Sequence, residues 1–155
     1  MRRFLALITI LVPLVVAACG GPVGPQYAQV AQTIPPVPPD KARIYFYRDY
    51  EPYESLSRPY IYLNGVIAGI SIPGGVFYRD VAPWRYLVSV DSVGIYWNQF
   101  KTVDLHAGDS TYIKIGSRRD WESGLDYEAD TFVVMVVDAT NGQREIADLT
   151  YVTGQ

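Results

Sequence analysis

Cysteine and histidine are almost missing: Cys19 and His106 are the only residues of their kinds in a chain of 155. One cysteine excludes a disulfide within the chain, and one of each excludes a zinc site built from those ligands. Any Cys-His or Ser-His-Asp machinery would have to use His106. That residue stands between Leu105 and Ala107-Gly108 at a strand end, with no second histidine or cysteine beside it, so neither catalysis nor metal ligation is expected of it. Positive charge is also short. There are 13 Lys and Arg against 16 Asp and Glu, for a formal net charge of -3 and a pI near 5.0. No basic surface is left to meet a phosphate backbone, and nucleic acid is not an expected partner. What is present, 49% hydrophobic and 19% charged residues, is the composition of one globular domain.

The one long apolar run lies at the start. Arg2 and Arg3 precede Phe4 to Ala18, broken only by Thr9 and Pro13, which is a secretory signal pattern. At about fifteen residues it falls short of the roughly 20 that span a bilayer as a helix. The run ends in Val16-Ala17-Ala18-Cys19, and this junction resembles the lipobox of a bacterial lipoprotein signal. The resemblance implies cleavage of residues 1–18 and a diacylglyceryl group on the thiol of Cys19. Acyl chains at roughly 0.8 kcal/mol per buried methylene then hold the chain on a membrane. Gly20, rather than Asp, follows the cysteine; by the sorting rule of this class in Gram-negative bacteria, that implies the outer membrane of the cell envelope. Cleavage removes two arginines and no acid, so the net charge falls from -3 to -5, and anionic lipid should repel the mature surface.

Between Cys19 and Asp40 stand six of the eleven prolines, Pro22, Pro25, Pro35, Pro36, Pro38 and Pro39, with Gly20, Gly21 and Gly24. Residues 19–40 read as a linker. Extended polyproline geometry at about 3.1 Å per residue would make it a semi-rigid spacer reaching roughly 60 Å. It is expected to contribute nothing to the core of a domain covering residues 41–155.

That domain reads as one strand after another, with no helical periodicity. The segments are Ala42–Arg48, Tyr60–Leu63, Val66–Ile72, Val76–Val81, Arg85–Val93, Asn98–Leu105, Ser110–Ile115, Thr131–Val137 and Glu145–Thr150. Asn64-Gly65 is a two-residue hairpin signal. Further turns are marked by Pro73-Gly74-Gly75, Pro83, Ala107-Gly108-Asp109 and Asn141-Gly142. The expectation is all-β: a small antiparallel β-sandwich of 7–9 strands behind a signal peptide and a Pro-rich linker. Phe132–Val137, apolar on both faces, should be a central strand.

Several of these segments together carry a resemblance. They are Ile44-Tyr45-Phe46-Tyr47-Arg48, Ile61-Tyr62-Leu63-Asn64-Gly65 with Ala68-Gly69, Pro73-Gly74-Gly75-Val76-Phe77, the Val81-Ala82-Pro83 corner, and Ala107-Gly108-Asp109-Ser110-Thr111-Tyr112-Ile113-Lys114. The pattern resembles a family of bacterial lipoproteins with a domain of unassigned function, related to PEGA-type and transthyretin-like small β-sandwiches. It covers most of residues 41–116. Trp84 stands where that family commonly has glycine. The resemblance implies a fold and supplies no catalytic residues.

Two features bear on function. Asp120, Glu122, Asp126, Glu128 and Asp130 crowd one segment, but a calcium loop starting at Asp126 would want Gly at position 131 and Glu at 137, where Thr and Val stand. Metal and cofactor are therefore not expected, and a small hydrolase using two of these acids is the weakest reading. The second feature is 13 tyrosines with three tryptophans and five phenylalanines. Alternation sets Tyr45 and Tyr47 opposite Ile44 and Phe46, and Tyr60 and Tyr62 opposite Ile61 and Leu63. If Tyr45, Tyr47, Tyr60 and Tyr62 share a surface, joined by Tyr78, Trp84 or Tyr86, it would suit a protein interface or sugar stacking. The competing reading is that tyrosine is simply a good strand former at the core's edge. The sequence thus leads to a membrane-anchored, non-enzymatic envelope lipoprotein, a binding or structural module that meets another envelope component, an envelope protein or a glycan. The alternative is a module for peptidoglycan or a surface polysaccharide.

Overall fold

The computed structural model describes residues 21–51, 56–92, 99–119 and 130–153. The signal segment, Cys19 and the acids from Asp120 to Glu128 lie outside them.

Two sheets face each other. β1 (Ala42–Tyr47), β4 (Gly75–Val81), β7 (Ser110–Arg119), β8 (Asp130–Val137) and β9 (Thr150–Tyr151) form a five-stranded sheet in the order β8-β7-β1-β4-β9. β2 (Tyr60–Leu63), β3 (Val66–Ile70), β5 (Arg85–Val90) and β6 (Phe100–Asp104) form a four-stranded sheet in the order β3-β2-β5-β6. The smaller sheet is wholly antiparallel, whereas β1 pairs with β7, and β4 with β9, in parallel. The all-β sandwich is therefore as the strand pattern requires. Between the sheets lie Ile44 and Phe46 of β1, Ile61 and Leu63 of β2, Phe77 of β4, Val88 and Val90 of β5, Val103 of β6, Ile113 and Ile115 of β7, and Phe132 and Val134 of β8. These are the apolar members of each alternating pair, turned to one side by the strand period.

The chain ends of the strands sort into two poles. Tyr47 is opposite Val76 and Ala42 opposite Val81, so the loop after β1, the Ser71–Gly74 connection and β9 share one pole. The Asn64-Gly65 turn, the Ala82–Trp84 corner and the His106–Asp109 turn share the other. At Asn64-Gly65 both residues have positive φ, 49° and 80°, as the hairpin demands.

Three expectations are corrected. The strand expected over 145–150 is not formed: α2 (Ala139–Ile146) takes its first two residues, and only Thr150 belongs to a strand, the two-residue β9. Asp138 caps the helix by accepting from the Asn141 N–H, satisfying a first-turn donor. Asn141-Gly142 is thus helix interior, and Gly142 is needed there because a Cβ would run into the Tyr112 ring. Second, Phe132–Val137 is an edge strand. Its inward residues pack across β5 and β6, and Val137 joins a separate outer cluster, so apolarity on both faces did not require a neighbour on both edges.

Third, the linker does not stand free from Pro22 onward. α1 (Tyr27–Val30) and one 3-10 turn (Ala31–Thr33) lie on the outer side of the five-stranded sheet. Tyr27 N–H donates to Leu149 O at 2.7 Å and Ala28 N–H to Ala147 O at 3.0 Å. Gln26 bridges Thr150, and Tyr151 N–H donates to Pro25 O, so the segment covers the β9 edge. The prolines fix an extended path, but the path runs along the domain rather than away from it.

Candidate functional site

The outer face of the five-stranded sheet is covered over its central strands, while Met135 at the β8 edge stays exposed. Tyr45 and Tyr47 are 7% and 2% exposed and belong to a second core with Val76, Tyr112 and Ile146. Tyr45 stacks on Tyr112 at 5.0 Å between centroids and meets Tyr27 edge-on at 5.8 Å, geometries that aromatic pairs favour. The Tyr47 hydroxyl donates to Glu145 at 3.0 Å, and Lys114 bridges Glu145 at 2.8 Å and Asp49 at 2.5 Å. Burial first, then the Glu145 hydrogen bond, pushes the Tyr47 phenol well above its ordinary value. Glu145 is held low by Lys114 and then by Tyr47. Further along, Arg43 makes a bidentate pair with Asp80 at 2.7 and 2.8 Å, sits 4.0 Å over the Tyr78 ring, and donates to Pro35 O. A buried arginine thus ties the proline segment to the sheet.

The outer face of the four-stranded sheet is open. Tyr60 and Tyr62 of β2 point out there, with Ile67 of β3, Leu87 of β5 and Phe100 of β6. Tyr60 is 44% exposed and Phe100 61%. Tyr62 Oη donates to Asp91 at 3.2 Å. Toward the pole of the Asn64-Gly65 turn, this face carries a shallow groove of about 610 Å³ lined by Asn64, Trp84, Arg85, Leu87, Thr102 and Asp104. Trp84 is 69% exposed, its backbone carbonyl accepting from Leu105 N–H at 3.0 Å. That bond fixes the corner between β4 and β5. Arg85 and Asp104 face each other across β5 and β6 at 2.6 Å, and the guanidinium holds the Asp104 carboxyl below its usual range. Asn64 accepts from Leu87 N–H through its side chain at 2.8 Å and donates its own N–H to Leu87 O. One indole, one carboxylate, one guanidinium and one amide therefore line a single concavity.

The four tyrosines picked out by alternation do not share a surface. Tyr45 and Tyr47 are inside, under α2 and α1, because a sheet of five strands with a helix layer leaves no exposed side on its central strand. Tyr60 and Tyr62 are on the open face, where Trp84 joins them at one pole. Tyr78 lies under Arg43, and Tyr86 turns toward the core. Leu87, Phe100 and Ile67 were not singled out, although alternation within β5 and β6 puts Leu87 with Arg85, and Phe100 with Thr102 and Asp104. His106 is in an exposed turn with its ring nitrogen 3.2 Å from Asp109, whose carboxylate also accepts the His106 backbone N–H at 2.8 Å. This is turn chemistry. Among the described residues no three His, Cys, Asp or Glu side chains gather as metal ligands, and no helix is long and apolar enough to cross a membrane. Comparison with family models, curated proteins and solved structures finds no match.

Proposed function

We propose that the protein is a lipid-anchored component of the bacterial cell envelope, held by acyl chains on Cys19 at the outer membrane, whose sandwich binds another envelope protein without catalysing a reaction. The observation that supports binding is the open face of the four-stranded sheet. Tyr60, Ile67, Leu87 and Phe100 stand exposed on one face of adjoining strands, interspersed with Ser89 and Thr102, and large apolar side chains exposed together on one face mark interaction sites on soluble domains. Tyrosine and tryptophan with an arginine nearby are the residue types that dominate protein interfaces. The residue-level support for anchoring remains the Ala17-Ala18-Cys19 junction.

A photo-crosslinking residue at Leu87 tests the reading in intact cells. It should give a discrete adduct that Phe100→Ser weakens, while the same crosslinker at Gln143 on the exposed side of α2 gives none. Equal adducts from both positions would refute a face-specific partner. For the anchor, the mature N-terminal peptide should carry added lipid mass on Cys19, and Cys19→Ser should leave the membrane fraction. An unmodified Cys19 peptide would end that part of the proposal.

The groove favours a second reading specifically. An exposed indole beside Asn64, Arg85 and Asp104 supplies a stacking platform with hydrogen-bonding groups at its rim, which is what a sugar ring with one apolar face and several hydroxyls would use. Titration with peptidoglycan fragments while following indole fluorescence separates the two: a saturable change lost in Trp84→Ala supports glycan, and a flat titration supports protein.

A further inference from the structure

The turns at the Trp84 end of the sandwich, Pro38–Lys41, Asn64-Gly65, Ala82–Trp84 and His106–Asp109, lie among the described residues, and so does every residue lining the groove beside them. The groove has the volume of a small-ligand site. Trp84 brings an exposed aromatic ring to it, and Leu87 an apolar patch of floor between Asn64 and Thr102. The polar groups around these two are held in place. Asn64 Oδ1 accepts from the Leu87 N–H, which orients the amide and leaves Nδ2 as its donating end. Arg85 meets Asp104 through Nε at 2.6 Å and Nη2 at 3.2 Å, a bidentate pair across β5 and β6. Thr102 adds a hydroxyl that both donates and accepts.

The charge at this end decides which sugar fits. Arg85 is matched by Asp104, and Lys41 by Asp40 at 3.9 Å. Asp109 adds a further carboxylate, which accepts the His106 backbone N–H. No excess of positive charge is left, on a chain whose net charge is -3. An acidic sugar would meet a guanidinium already neutralised and two carboxylates that repel it. A neutral ring meets no such cost. One of its hydroxyls donates to Asp104, the neighbouring hydroxyl accepts from Arg85 or Asn64, and its C–H face lies on the indole.

We propose that the groove takes an uncharged hexopyranose ring of a polysaccharide, held by vicinal hydroxyls on the Arg85–Asp104 pair and by stacking on Trp84. This inference rests on the glycan reading of the groove and names the class of sugar. Of Tyr60, Ile67, Leu87 and Phe100, only Leu87 reaches the groove, so the rest of the open face stays available to a protein.

The test titrates the purified full chain with neutral hexamers of glucose, mannose and N-acetylglucosamine, with anionic hexagalacturonate, and with peptidoglycan fragments. Binding is read as the indole fluorescence change that Trp84→Ala removes. At least one neutral hexamer should bind severalfold more tightly than hexagalacturonate, with an affinity that barely changes from low to high salt. Asp104→Asn and Arg85→Gln, both at exposed positions, should each weaken it severalfold while the urea midpoint stays put. Equal or tighter binding of hexagalacturonate would overturn the neutral class and leave the glycan reading standing. Neutral binding untouched by Asp104→Asn would overturn the part given to the ion pair. A response to peptidoglycan fragments alone would place recognition in their charged lactyl or peptide portions, again against a neutral ring. No response to any of the probes would remove the glycan reading itself, and this inference with it.

Discussion

The two outer faces of this sandwich are built from similar residues and end in opposite states. On the five-stranded sheet, Tyr45, Tyr47, Tyr78 and Tyr112 are roofed by α2 and the proline segment, and the cations beneath the roof, Arg43 and Lys114, are paired with Asp80 and with Asp49 and Glu145. On the four-stranded sheet, Tyr60, Phe100 and Leu87 look into solvent with Tyr62 half-buried beside them, and the charged pair Arg85–Asp104 is itself exposed. Composition does not separate them. Strand number and the position of two short helices do: a roof exists where the chain returns after β8 and where it enters before β1. The same side chain is structural in one place and available for recognition in the other.

Replacement of Tyr47 by Ser should be the most damaging change, costing about 3 to 5 kcal/mol through the cavity and the lost burial. Tyr47→Phe keeps the packing and removes only the bond to Glu145, for about 1 kcal/mol. Urea denaturation of the two variants checks the ratio. A Tyr47→Ser variant as stable as the parent would erase the contrast between the faces. Next in size is removal of residues 21–40, expected to cost about 3 kcal/mol as Tyr27 and the Pro35 carbonyl leave Tyr45 and Arg43 without cover. Unchanged stability of the shortened chain would restore the proline segment to a free spacer.

How far the sequence carried this contrast depends on the period of the signal. β2 was legible to the residue, Tyr60–Leu63, because the alternation before Asn64-Gly65 is clean and strand-like residues stand on both sides of that dipeptide, the setting in which it closes a two-residue hairpin. β1 was legible as a strand and even as two faces. What was not legible is that both faces are buried, since the roof over Tyr45 and Tyr47 comes from α2 and Tyr27, and neither has a long apolar period. α2 presents only Gly142 and Ile146, four apart, with Glu145 between them as a charged contact. Asn141-Gly142 read as a turn for the good reason that it usually is one; here the glycine serves close approach to Tyr112. For the groove, Trp84 was visible as an aromatic that could join a tyrosine-lined surface, directly after the Val81-Ala82-Pro83 corner. Its companions Asn64 and Asp104 come from separate strands, and only sheet order brings them together.

The roof should also respond to acid before the sandwich does. Glu145 is depressed by Lys114, so its contribution is present above the unfolded carboxyl value of about 4.3 and is lost as pH falls through the lower folded value. For Lys114, burial works against the charge, but Asp49 and Glu145 outweigh it and its value is raised. That contribution holds below the unfolded value of about 10.4 and fades only as pH rises through the folded one. Amide exchange of α2 should therefore accelerate below about pH 4, with a loss near 1 kcal/mol, while β5 and β6 stay protected. Glu145→Gln should reduce that acid limb, what is left coming from the Asp138 cap, whose carboxyl is held low by the Asn141 N–H. An α2 whose exchange is independent of pH between 3 and 6, after correction for intrinsic rates, would show that the carboxylate does not hold the roof.

The smallest expected effect on stability carries the most about function. Tyr60 and Tyr62 lie on the unroofed sheet, and the Tyr62 hydroxyl reaches only the exposed Asp91. Tyr60→Ser and Tyr62→Ser should each change stability by less than about 1 kcal/mol, as exposed strand positions do. Phe100→Ser belongs to the same class. If the open face is a recognition surface, these near-silent substitutions should nonetheless reduce the Leu87 crosslink severalfold, because hot-spot aromatics act through a shared desolvated patch rather than through the fold. Measured in one set of variants, stability and crosslinking should therefore run in opposite orders on the two faces. Tyr47→Ser should lose stability and keep the crosslink, and Tyr60→Ser should keep stability and lose it. Loss of both together at Tyr60 would mean that β2 holds the fold from outside as Tyr47 does from within, and the open face would no longer mark the place where this protein meets its partner.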